Sequence, residues 1–116
     1  MASQNDNGFK SFLASGAISA YIAVKVQADG TITAAANDTK GIGVTQEDIA
    51  DAQYGSVKLW TASGTFMVQA SGSAITPGTD YGIITGGYAG VVTTARVTGL
   101  VAAVASNGIV AEFAKV

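Results

Sequence analysis

The chain has 116 residues, a formal net charge of −2 and only 12% charged side chains, about half the roughly 25% of an ordinary globular domain. One domain fits this length, and a basic footprint for nucleic acid is missing. There is no cysteine and no histidine, which excludes disulfides, thiolate metal sites, cysteine nucleophiles and any Ser-His-Asp triad. A hydrophobic content of 48% argues for a packed core rather than disorder. With so few charges, the surface must be built from Thr, Ser, Gly, Asn and Gln, or be covered by partners.

Residues 1–16 are polar and small up to Phe9, Phe12 and Leu13, whose spacing could place them on one turn of helix. They read as a flexible N-terminal arm with a short apolar anchor, or as a terminus whose phenylalanines cap the domain. The arm carries no basic end followed by an apolar run, so secretion is not expected. No apolar stretch has the roughly 20 residues of a membrane-spanning helix, so no membrane partner is expected.

Alternation begins at Ala17. Ile18, Ala20, Ile22, Val24 and Val26 occupy even positions and Ser19, Tyr21, Ala23, Lys25 and Gln27 odd ones, which predicts one long strand with a single buried face. Asp29-Gly30 supplies a tight hairpin turn, and Thr31–Ala35 returns with Ile32 and Ala34 on the core side. Gly41-Ile42-Gly43 lacks the third glycine and Lys-Ser/Thr pair of a phosphate loop; a strand passing close to a neighbouring backbone is the expectation. Lys40, in the turn before it, lacks the neighbour of a carrier-domain lysine. The acidic stretch Gln46–Tyr54, with Glu47, Asp48 and Asp51, reads as a solvated loop or single helical turn, since the ligand alternation of a calcium loop is missing.

Val57 and Leu59 share one face of the next strand and Trp60 takes the other. That leaves Trp60 as a subunit-contact candidate, because Trp is enriched at interfaces, or as part of a second small core. Ala62-Ser63-Gly64 turns the chain into Thr65–Ala70, with Phe66 and Val68 on one face. Pro77-Gly78 and Gly86-Gly87 mark further turns, the latter between Tyr81–Thr85 and Tyr88–Thr94. Val97–Ala105 could be helix by its alanines or strand by its β-branched residues; Ser106-Asn107-Gly108 after it favours strand. The final strand, Ile109–Val116, should bury Ile109, Ala111 and Phe113 and leave Val110, Glu112 and Val116 outside. Short strands at regular spacing predict a small all-β barrel or sandwich in a single domain built from hairpins. The expected division is residues 1–16 as arm and 17–116 as domain.

The order of Asp29-Gly30, Gly41-Ile42-Gly43-Val44, Gly64 before Phe66-Met67-Val68, Ala74-Ile75-Thr76-Pro77-Gly78, Gly99-Leu100-Val101-Ala102-Ala103 and Gly108-Ile109-Val110 resembles the small capsid decoration, or cement, proteins of tailed bacteriophages. The resemblance runs over nearly the whole chain and departs from that pattern at Tyr54-Gly55-Ser56. It implies a β-barrel or β-tulip domain on the outer capsid surface of the virion. There it would assemble as a homotrimer that clamps neighbouring subunits of the major capsid protein, with no enzymatic activity, cofactor or metal. Phe9, Phe12 and Leu13 are then the capsid-binding candidates and Trp60 the oligomer contact. Another virion part, such as a tail-tube or fibre subunit, is the first alternative. A small carbohydrate-binding module, with Trp60, Tyr54, Tyr81 and Tyr88 as its aromatics, is the second. A hydrolase is disfavoured by the lack of a base.

Overall fold

The computed structural model describes residues 8–36, 41–70, 74–84, 86–91, 97–101 and 109–115. Among these residues, glycine-punctuated runs of Val, Ile, Thr and aromatic residues form ten strands: β1 (Phe9–Leu13), β2 (Ala23–Val26), β3 (Ile32–Ala34), β4 (Gly43–Thr45), β5 (Tyr54–Leu59), β6 (Phe66–Ala70), β7 (Asp80–Ile84), β8 (Tyr88–Gly90), β9 (Val97–Gly99) and β10 (Ile109–Lys115). The described residues contain no helix. The all-β expectation therefore holds, with a division that periodicity did not predict. The first five strands make one sheet in the order β1-β5-β4-β2-β3, and the last five close into a barrel in the order β10-β6-β8-β7-β9.

The first sheet is rolled until its two outer strands nearly meet. Just beyond β1, Ala14 forms a parallel bridge with Ile32 of β3, and the Ser15 amide donates to the Ile32 carbonyl at 2.9 Å. Inside the roll lie Ala14, Ile18, Ile22, Val24, Ile32, Ile49 and Val57. The barrel is filled by its own side chains, among them Phe66, Val68, Tyr81, Ile83, Val97 and Phe113, as in other small barrels. Its pairs are antiparallel except β6 with β8, which run parallel at Ala70 and Ala89. Ala23, Ala35 and Val44 of the first sheet belong to the barrel's cluster, so the two β units share one apolar interface.

That interface explains where simple alternation fails. Ala23 and Val24 are both fully buried, one toward the barrel and one into the roll. A strand covered on both faces loses its polar alternate. The long strand expected from Ala17 is also interrupted: Tyr21 adopts φ 62°, outside the strand region, and only Ala23–Val26 is regular. Val26, expected inside, is 42% exposed. The Asp29-Gly30 hairpin forms as expected between β2 and β3, with Gly30 at φ 85°. Gly43 packs so closely that a Cβ would strike the Lys58 carbonyl oxygen of β5, which is the close backbone approach read from Gly41-Ile42-Gly43.

The turn Ala62-Ser63-Gly64 does not close a hairpin. It carries the chain from β5 in the first sheet to β6 in the barrel. Gly86-Gly87, both at positive φ, does join a hairpin, β7 to β8. In β10 the expected parity holds: Phe113 and Ala111 are buried and Val110 faces out. Ser106-Asn107-Gly108, Lys40 and residues 1–7 lie outside the described residues. From Phe9 to Leu13, however, the stretch expected to be a free arm is a strand paired along its whole length with β5, from Phe9 opposite Lys58 to Leu13 opposite Tyr54. That expectation is corrected: the polar composition upstream of Phe9 does not extend to β1, whose Phe12 packs on the core of the roll.

Candidate functional site

The apolar residues of β1 were the expected docking anchor. A helical turn would gather Phe9, Phe12 and Leu13, but a strand separates them, because successive side chains point to opposite faces. Phe12 packs on the core of the first sheet. Phe9 remains 40% exposed and Leu13 is half-buried. Beside Phe9 stands Lys58, its Nζ 4.5 Å from the Phe66 ring centroid and 5.8 Å from that of Phe9. The ammonium donates to the Thr65 carbonyl at 2.5 Å, so this cation is spent on tying β5 to the start of β6. The three residues thus form no common surface, and only Phe9 presents a large accessible ring.

Trp60 is placed differently from the expectation of a contact residue. It is only 5% exposed and packs on Phe66 with ring centroids 4.7 Å apart, tilted by 48°. The alternation that put it opposite Val57 and Leu59 ends with β5. At the crossing toward the barrel the indole turns into the barrel's cluster. The alternative of a small core at one end of the barrel describes this arrangement, and a ring so enclosed has little area to offer a partner.

The acidic loop is structural in a specific way. Glu47 Oε2 accepts from the Ser56 amide at 2.9 Å, Asp48 Oδ1 from the Ala20 amide at 2.8 Å and Asp51 Oδ1 from the Gly16 amide at 2.8 Å. Each carboxylate satisfies an amide that has no ladder partner, Asp48 and Asp51 on the segment 16–22 and Glu47 on β5. No group of three or more possible metal ligands occurs among the described residues. Buried polar groups are likewise answered locally. Thr45, fully buried, donates to the Ser19 carbonyl at 2.7 Å and accepts from the Ile22 amide at 3.0 Å. The Tyr81 hydroxyl accepts from the Thr76 amide at 2.8 Å and donates to Ala74.

The aromatics proposed for a sugar platform do not form one. Trp60 and Tyr81 are core residues, while Tyr54 is 71% exposed and lies in β5, in the other sheet from Tyr88. What sequence reasoning missed is the outer wall of the barrel. Met67 and Leu100, each 40% exposed, and Val110, 37% exposed, lie around Glu112: Met67 opposite it across β6–β10 and Leu100 bonded to its carbonyl. The signal was present, since Met67 has the opposite parity from Phe66 and Val68. The pairing of β6 with β10 that assembles the patch is not local in sequence.

No protein-family model matches the chain, and no curated protein matches it. Among solved structures it is similar to the head fiber gp8.5 N base in bacteriophage phi29, with a TM-score of 0.71 and 21% sequence identity. The match covers 93% of this chain and 94% of that one, and the likeness is one of fold, spanning both β units.

Proposed function

We propose that this chain is a structural protein of a phage virion that attaches to the outer surface of the head. The observation that carries the reading is the end-to-end fold likeness to a phage head fiber base. The sequence resemblance to capsid decoration proteins points to the same place on the particle. On this reading the protein has no catalytic role. Its partner is the major capsid protein, and it acts as a homotrimeric cement that bridges neighbouring capsid subunits. The low charge content and the apolar wall of Met67, Leu100 and Val110 are compatible with a surface covered in an assembly. Many weak contacts repeated on a lattice would then give strong attachment.

The test uses heads from a phage from which the gene has been deleted. The full chain, added back, should co-sediment with mature heads and raise the temperature at which they release DNA. Protein that stays in the supernatant at saturating head concentration overturns the attachment. Binding without a gain in head stability would retain the attachment and remove the cementing role. Sedimentation equilibrium of the free and head-eluted protein checks the trimer, and monomer in both states would remove it.

A further inference from the structure

The seam of the rolled first sheet is incomplete, and the gap has the features of a ligand site. In the β2–β3 ladder, the bonds Gln27 N to Thr31 O and Ala35 N to Ala23 O mark the residues whose peptide groups face β2. By alternation, those of Ile32 and Ala34 face away. Ile32 is met by the chain after β1 through the Ala14 bridge and the Ser15 amide. One step further, at Ala34, no described segment follows. Gly16 turns at φ 88°, and Ile18 pairs with Ile49 instead. The space left open is a cleft of about 180 Å³ whose lining includes Ser19, Ile22, Thr33, Ala34, Gly86 and Tyr88.

One wall of this cleft is rigidly built. The irregular segment 16–22 is held by Asp51 on the Gly16 amide, Asp48 on the Ala20 amide, Thr45 on the Ser19 carbonyl and Gln69 Nε2 on the Ala20 carbonyl. It includes Tyr21, one of two non-glycine residues at positive φ among those described. Backbone strain that the surroundings over-determine is a mark of functional segments, and a wall fixed before binding lowers the entropy lost on binding.

The lining defines the ligand. No charged side chain among the described residues lines the cleft, so an ionic ligand would be desolvated there without a counter-charge from them. Among the described lining residues, Ser19, Thr33 and Tyr88 carry hydroxyl groups, and the Ala34 edge adds a peptide donor and acceptor. Ile22, Ala34 and the Tyr88 ring supply apolar surface. The volume is below the roughly 300–1,000 Å³ of drug-sized sites. We propose that this cleft binds one neutral sugar residue, either free or at the end of a glycan chain. This assignment does not depend on virion attachment.

The test is heteronuclear NMR of the full chain titrated with the methyl glycosides of glucose, galactose, mannose and N-acetylglucosamine, with glycerol as a non-cyclic control. At least one glycoside should shift the signals of Ser19, Thr33, Ala34 and Tyr88, and glycerol should not. The Thr33→Val/Tyr88→Phe pair, which keeps shape and removes two hydroxyls, should weaken binding roughly tenfold; Thr33→Val alone, should the pair not fold, by a few-fold. An oligosaccharide ending in the same sugar distinguishes the sources. Equal or tighter binding assigns a glycan terminus, and binding of the methyl glycoside alone assigns a free sugar. No shift with any glycoside, shifts centred elsewhere (for instance at Tyr54), or affinity unchanged in the variants overturns the proposal.

Discussion

Asp29 shows how one side chain can define a turn. Its Oδ1 accepts from the Thr31 hydroxyl at 2.6 Å and from the Thr31 amide at 3.1 Å, an arrangement that closes the β2–β3 hairpin from the side-chain side. These bonds, the hydroxyl first and the amide second, hold the carboxyl below the usual carboxylate range. Because the folded value is depressed, the stabilisation is fully present above the unfolded pKa and is lost as pH falls through the folded one. Asp29 is exposed, so solvent screening keeps the effect small. Asn keeps an acceptor oxygen but cannot titrate. The melting-temperature difference between the native protein and Asp29→Asn should therefore be constant from neutral pH down to the carboxylate range and shrink below it. A difference independent of pH would show that the charge plays no part. Gly43 is a second residue with a defined consequence. Its missing Cβ is what lets β4 lie against the β5 backbone, and overpacking that cannot relax costs about 1–3 kcal/mol or more. Gly43→Ala should lower the denaturation free energy by at least that amount, read from urea unfolding.

Among the elements, β1 departs most from expectation, and the reason is physical. Composition separates residues 1–16 from the alternating run that begins at Ala17, yet what decides the structure of Phe9–Leu13 is the edge of β5, some 45 residues away in the chain. Nothing local encodes that pairing. The β2–β3 and β7–β8 hairpins were legible because Asp29-Gly30 and Gly86-Gly87 specify their own turns. The parity of β10 was legible because Glu112 cannot share a face with Phe113 in an apolar barrel. The paired carboxylate–amide contacts of the acidic loop, the cleft beside Ala34 and the buried position of Trp60 all depend on which strands meet across the two sheets, and the period of the sequence does not report that. A direct consequence follows for β1. Deleting residues 1–13 strips β5 of its outer neighbour and uncovers Phe12's share of the core, so the shortened chain should unfold at lower urea and show faster amide exchange in β5. A truncated protein with native stability would restore the arm reading.

At the scale of the whole molecule, the question is whether a rolled sheet and a barrel in sequence behave as one folding unit. Their shared cluster argues that they do. Ala23, Ala35 and Val44 from the first sheet contact the cluster that holds Phe66, Val68, Ile83 and Phe113 from the barrel. The Ala23 amide donates across the boundary to the Gly87 carbonyl at 2.9 Å, and the Gln69 amide to the Tyr21 carbonyl at 2.8 Å. Loss of the barrel would leave these groups facing water or unpaired, and Ala23 and Val44 uncovered. Phe113 is fully buried, stacked edge-on against Tyr81 with centroids 6.1 Å apart at 81°, and sits where β10 meets β6 and β9. Phe113→Ala should cost about 3–5 kcal/mol, against little change for Glu112→Ala on the opposite face. Trp60 provides a fluorescence probe inside the barrel cluster, and amide exchange at Val24 reports the first sheet. In one cooperative unit, Phe113→Ala should shift both readouts to the same denaturant midpoint. If exchange at Val24 kept its native protection while Trp60 fluorescence moved, the rolled sheet would stand without the barrel. The shared apolar face would then be a docking contact between two independently stable units rather than a common core.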